Sequence, residues 1–197
     1  MDRKDQIVSA AIDRLYAVGF EGFRVGDVAK DVGINNATLI HHYPSKVALI
    51  KAVVERFTKR FEAVADPANA EGGPAERLAR HMRSSVELMR TSPEMFVVLN
   101  DIMIKAGRDP EICALVAVPL KAWRDHIVSL LASPSNDAGK AVRKRAEEIA
   151  AVCMAQLLGM GLLSKSPNDA DCGFDFVRGG VASRAILALT ALVSETP

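Results

Sequence analysis

Between Asp31 and Glu55 the chain carries no carboxylate, yet this stretch holds Asn35, Asn36, Thr38, His41, His42, Tyr43, Lys46 and Lys51. Amides and hydroxyls set among basic side chains are the groups that read base edges and meet phosphate oxygens. An ordinary solvated helix mixes both signs of charge, so a surface purged of carboxylates fits a polyanionic partner. Other chemistry finds less support. His41 and His42 are adjacent, and adjacent helical positions point about 100° apart, so the two cannot share one metal ion. His81 and His126 stand isolated and read as solvated or satisfied imidazoles. No phosphate-binding glycine loop, nucleophile elbow or histidine–carboxylate constellation occurs, so no catalytic residue, metal ligand or cofactor is assigned. Cys113, Cys153 and Cys172 lie far apart among apolar neighbours and read as reduced core residues, not as a zinc site or disulfides.

The polar residues need a scaffold, and helical spacing supplies one. Val25, Val28, Ala29 and Val32 form a short apolar stripe closed by Gly33, whose lack of a Cβ suits a left-handed helix end. Asn35 is a good N-cap for a third short helix reaching about His42. Two short helices joined by a glycine-started turn make the helix-turn-helix pattern. Ala29 is small where the helices must approach, Ile34 and Leu39 face inward, and Asn36, Ala37 and Thr38 point outward from the first turn of the third helix. That is where a recognition helix meets bases. Upstream, Ile7, Ala11, Leu15 and Val18 trace a first helix that Gly19 stops. Downstream, Pro44-Ser45 precedes a long fourth helix with Val47, Ile50, Val54, Phe57 and Phe61 on its buried side. Lys46 lies in the first turn of that helix, where a cation opposes the helix dipole. A phosphate docked there would meet both the lysine and the free N–H groups.

The stretch from Ile7 to about Val54 resembles the DNA-binding domain of the TetR (tetracycline-repressor) family. The resemblance rests on Ala10-Ala11, Gly19, Asp27-Val28-Ala29, Gly33-Ile34, Thr38-Leu39, His42-Tyr43 and Ser45-Lys46-Val47-Ala48-Leu49. It implies base contacts at Asn36, Ala37 and Thr38, and phosphate or nearby base contacts at His41, His42 and Lys46. Such proteins usually open the second helix with Ser or Thr; Arg24 stands there instead, a weaker cap but a strong phosphate ligand. Ile40 replaces the usual aromatic after the helix-three leucine, which removes one common phosphate contact. The DNA-facing set is therefore Arg24, Asn35, Asn36, Ala37, Thr38, His41, His42, Tyr43 and Lys46.

The whole chain of 197 residues has a formal net charge of only +1, so any basic face is local. The breaker-rich segment Asp66 to Pro74 is the best linker candidate, dividing residues 1–62, a DNA-binding domain, from 75–197, with 63–74 between them. Ser92-Pro93 and Asp109-Pro110 each read as an N-cap followed by proline at the first helical position. The expected fold is all-α: about nine helices, an N-terminal helix-turn-helix unit and a C-terminal helical bundle. Met82, Met89, Phe96, Asn100, Met103 and Trp123 are candidates to line a pocket for a small, mainly apolar effector, as members of the family commonly bind. The segment Ile149 to Leu163, apolar nearly all round, and a final helix from about Asp171 to Ser194, rich in small residues, predict a homodimer through the last two helices. No signal-peptide core or membrane-length apolar run occurs, so a cytoplasmic protein is expected. The sequence thus reads as a regulator that binds double-stranded operator DNA, repression being the family's usual outcome. The alternative is a helical protein-interaction module without DNA binding.

Overall fold

Helix starts and stops decide this architecture. The computed structural model describes residues 2–64, 71–132, 139–163 and 181–194. Among them are nine α-helices and no strand: α1 (Arg3–Gly22), α2 (Val25–Val32), α3 (Asn36–His42), α4 (Lys46–Val64), α5 (Pro74–Thr91), α6 (Pro93–Ala106), α7 (Pro110–Leu131), α8 (Gly139–Leu163) and α9 (Val181–Ser194). Asp2 caps α1 through the Arg3 N–H, and the Asp109 carboxylate accepts from the Glu111 and Ile112 N–H groups at the start of α7. Pro74, Pro93 and Pro110 each open a helix, where a missing N–H costs nothing. The expected break at Ser133–Asn136 and the expected start of the last helix at Asp171 lie outside the described residues.

The chain divides into two compact units, Met1–Lys59 with Glu94–Val118, and Arg60–Pro93 with Pro119–Pro197. Thus α6 and the first half of α7 group with the N-terminal helices. The chain passes from one unit to the other inside α4, at the start of α6, and inside α7 at Pro119, which has no N–H for the carbonyl four residues back.

In the first unit α1 packs on α2 and α2 on α3. Ile7, Leu15, Phe23, Val28, Leu39, Leu49, Ile50 and Val53 are buried there. On α4 the inward face carries Leu49 and Val53; Val47 and Phe61, expected to be buried, are only half-buried. Each large apolar side chain taken fully out of water contributes about 1.5–3 kcal/mol, so this small core holds the helix-turn-helix rigid. In the second unit α5 packs on α8 and α9, and α8 on α9. Along α8, Ala146, Ile149, Ala150, Cys153, Leu157 and Met160 recur every three or four residues on the buried side. Cys153 is a core thiol, as its apolar neighbours suggest, and burial pushes its pKa up to about 12. Cys113 is exposed, contrary to the core reading. On α7 the inward positions are taken by Ile112 and Val116, which turns the residue next to Ile112 toward solvent.

Candidate nucleic-acid interface

The presentation of α3 begins at a glycine. Gly33 adopts φ +69° and ψ +35°, the left-handed conformation, and its N–H and that of Ile34 close the α2 carbonyls of Lys30 and Ala29. A Cβ there would meet nothing, so the demand is for the dihedral alone. Asn35 then caps α3: its Oδ1 accepts from the Thr38 N–H at 2.8 Å. The fixed turn leaves Asn35, Asn36, Ala37, Ile40 and His41 exposed along one side, with Thr38, His42 and Tyr43 half-buried and Leu39 fully buried beneath. Ile40, with 54% of its surface exposed, is a large apolar side chain set within a polar face.

Charge is arranged to match. α3 has no acidic residue in its first turn, and the two carboxylates of α2 are engaged by bases. Asp31 accepts from the Arg14 guanidinium, at 3.0 Å from Nε and 2.5 Å from Nη2, and Asp27 pairs with Lys30 at 3.0 Å. Asp27 is held below its usual pKa, first by the Lys30 hydrogen bond and then by that lysine's charge. Arg24 occupies the N-cap place of α2 without a side-chain cap, as its residue type predicts. It is exposed and donates through Nη1 to the Glu21 and Phe23 carbonyls.

Lys46 sits differently from a free cation at a helix start. Its Nζ donates to the Phe20 carbonyl at 2.9 Å and the Phe23 carbonyl at 3.3 Å, and lies 4.3 Å above the Phe20 ring. Burial, then the neighbouring Arg24, lowers its pKa. The start of α4 is capped instead by Ser45, whose Oγ accepts from the Ala48 N–H. Sequence reasoning also passed over Asp101 and Lys105 of α6. Gly19, at φ +71°, breaks the end of α1 and frees the Phe20 N–H, which donates to the Asp101 carboxylate. Lys105 pairs with Glu21 at 3.3 Å. A signal existed: Asp101 is the one acid between Phe96 and Ile104, an otherwise apolar run apart from Asn100.

The six effector candidates fall in both units. Phe96, Asn100 and Met103 belong to the first; Phe96 and Asn100 are buried, and the Asn100 amide donates to the Phe96 carbonyl at 2.9 Å. Met82, Met89 and Trp123 belong to the second, the methionines buried and Trp123 half-buried. A groove of about 520 Å³ beside α5 and α9, lined by Ala75, Glu76, Ala79, Arg80, Arg83, Leu187, Thr190 and Ala191, includes none of the six. His81 and His126 are not isolated, contrary to the sequence reading. Their ring centroids lie 5.1 Å apart, because positions 45 residues apart in sequence are brought together by α5 and α7. No group of three or more metal-ligating side chains occurs among the described residues.

Residues 7–53 match the family described as bacterial regulatory proteins, tetR family. The HTH-type transcriptional regulator RutR of Escherichia coli is 28% identical over 92 residues, covering 47% of this chain and 43% of RutR. The chain thus spans less than half the length of that relative. Among solved structures, Salmonella enterica GusR superposes with a TM-score of 0.73 at 20% identity, covering 97% of this chain and 95% of GusR. The multidrug binding protein EbrR, solved in complex with imidazole, gives 0.68 at 20% identity, covering 98% of this chain and 95% of EbrR. These two likenesses are of fold.

Proposed function

We propose that this chain, whose residues 7–53 match the tetR family of bacterial regulatory proteins, is a dimeric, sequence-specific regulator of transcription. The observation that carries this reading is the outward side of α3, polar and without a carboxylate, mounted on a buried Leu39 and a fixed glycine turn. In the major groove Asn36, Ala37 and Thr38 face base edges, where a good bidentate amide–adenine pair discriminates by about 1–3 kcal/mol. Exposed Ile40 offers an apolar contact to a thymine methyl group. Asn35, Tyr43, His41, His42 and Arg24 flank this face toward phosphates. Lys46 serves it from behind by tying α4 to the end of α1.

Two copies join through α8 and α9. On α8, Ala151, Ala155 and Gly159 recur every fourth residue beside exposed Val152 and Leu162, and α9 adds exposed Leu187, Ala188 and Ala191. Small residues flanked by apolar ones let a second helix approach closely, and a two-fold axis pairs the same patch with itself. The dimer then reads a palindromic operator whose half-sites lie about one helical turn, roughly 34–36 Å, apart. A small apolar effector, bound among the C-terminal helices, lowers operator affinity and relieves repression; EbrR's complex with a small molecule supports a ligand-binding role for the fold. A tenfold loss of affinity requires only about 1.4 kcal/mol of differential binding to the released conformation. Acting on DNA places the chain in the cytoplasm. No described helix is long and apolar enough to cross a membrane.

Selection of bound duplexes from a random library tests the reading. Enrichment of a two-fold-symmetric site is expected. Failure to enrich any duplex, with capture of a protein partner through the same face, would support a protein-interaction module instead.

A further inference from the structure

Within the second unit lies a cluster that DNA binding does not use. Trp123 of α7 donates through Nε1–H to Nε2 of His81 on α5, at 3.1 Å. An indole nitrogen only donates, so His81 Nε2 must accept and its proton resides on Nδ1. That Nδ1–H is buried and has no protein partner; nor has His126 Nε2, which is equally inaccessible. His81 as a whole is 2% exposed. The rings lie 5.1 Å apart and tilted by 58°. Phe61 stacks on Trp123, centroids 5.5 Å apart and planes within 20°. Both rings of that stack are only half-buried, so the cluster reaches the surface there.

We infer that the His81–His126 pair is the polar anchor of a binding site for an aromatic molecule carrying one hydroxyl group. The hydroxyl oxygen accepts from His81 Nδ1–H, and its proton is donated to His126 Nε2, whose tautomer no protein hydrogen bond fixes. Trp123 and Phe61 offer aromatic faces to the ligand ring. A hydroxyl oxygen both accepts and donates through one atom. A bound zinc ion would need three or four protein ligands, and no such group exists among the described residues. A carboxylate would be buried without a counter-charge. Burial disfavours the charged form of both imidazoles, with His126 adding to the effect at His81, so neither ring favours the positive charge a carboxylate would need. This inference rests on reading the C-terminal helices as effector-binding, and it names the chemistry of that effector.

Calorimetry on the full-length chain with 4-ethylphenol, ethylbenzene and 4-ethylbenzoate tests it. 4-Ethylphenol should bind about tenfold more tightly than either analogue, since a site built for a hydroxyl leaves its own polar groups unpaired with the others. His126→Phe, at a half-buried position, should abolish that preference, leaving 4-ethylphenol and ethylbenzene bound alike. Should the variants fold poorly, nitrogen-15 imidazole spectra of the unsubstituted chain serve instead. They should show His81 as the Nδ1–H tautomer, with 4-ethylphenol moving the signals of His81 Nδ1 and His126 Nε2. Equal binding of 4-ethylphenol and ethylbenzene, tighter binding of 4-ethylbenzoate, or unmoved imidazole signals overturns the inference. If none of the three probes binds but another compound releases operator, the hydroxyl anchor is wrong while the effector reading stands. If no compound in a metabolite library releases operator, the effector reading itself fails.

Discussion

His81 shows how one buried side chain sets a pH limit on the molecule. Burial, with the adjacent His126 adding to it, pushes its pKa from 6.5 down to about 4. Between these values the unfolded chain binds a proton that the folded chain refuses, so stability falls as pH drops from about 6.5 to 4 and this contribution levels off below. The displacement corresponds to about 3 kcal/mol. Urea midpoints measured from pH 7 to 4 should therefore drop further for the unsubstituted chain than for His81→Phe; parallel curves would contradict the assignment. Lys46 makes a second residue-scale claim. If its ammonium holds the Phe20 and Phe23 carbonyls, Lys46→Met should lower stability by about 1–2 kcal/mol and weaken all duplexes alike. The salt slope of DNA binding should stay unchanged. A slope flatter by about one unit with stability intact would instead restore a phosphate contact.

Among the elements, α3 is short enough that its cap matters. Asn35→Ala removes the Thr38 N–H partner and should cost about 1 kcal/mol in chemical denaturation, with operator affinity falling because α3 frays at the proposed base contacts. An unchanged denaturation midpoint would mean the cap is dispensable. This element was legible in the sequence because its signals are local: Gly33 for the left-handed stop, Asn35 for the cap, Leu39 for the inward face. The helices opened by Pro93 and Pro110 were legible for the same reason. Contacts between residues far apart in sequence were not. Nothing in the spacing of His81 and His126 announces that their rings meet. Nor does Gly19 reveal that the N–H it frees finds Asp101, 81 residues away. Nor does the place of Lys46 in the first turn of α4 announce that it meets carbonyls at the end of α1. The exposure of Cys113 depended on the rotation of α7, which flanking apolar residues leave open.

At the scale of the whole molecule, the proposed dimer ties assembly to DNA binding, since the palindromic site proposed for it needs two recognition helices. Val152 is half exposed and Leu187 is 67% exposed in a single chain, an apolar surface that a dimer would cover. Val152→Glu with Leu187→Glu should give monomers by light scattering at micromolar concentration and lose operator binding, while the far-ultraviolet helical signal persists. A dimer that survives both changes would place the interface elsewhere. The central claim, that α3 and its flanks meet the DNA backbone and bases, is tested most directly by the affinity for a selected duplex as a function of salt. Several phosphate contacts should make the logarithm of affinity fall linearly and steeply with the logarithm of salt concentration, by roughly 0.9 for each phosphate neutralised. An affinity that does not change with salt, or no affinity for any duplex, would contradict the account.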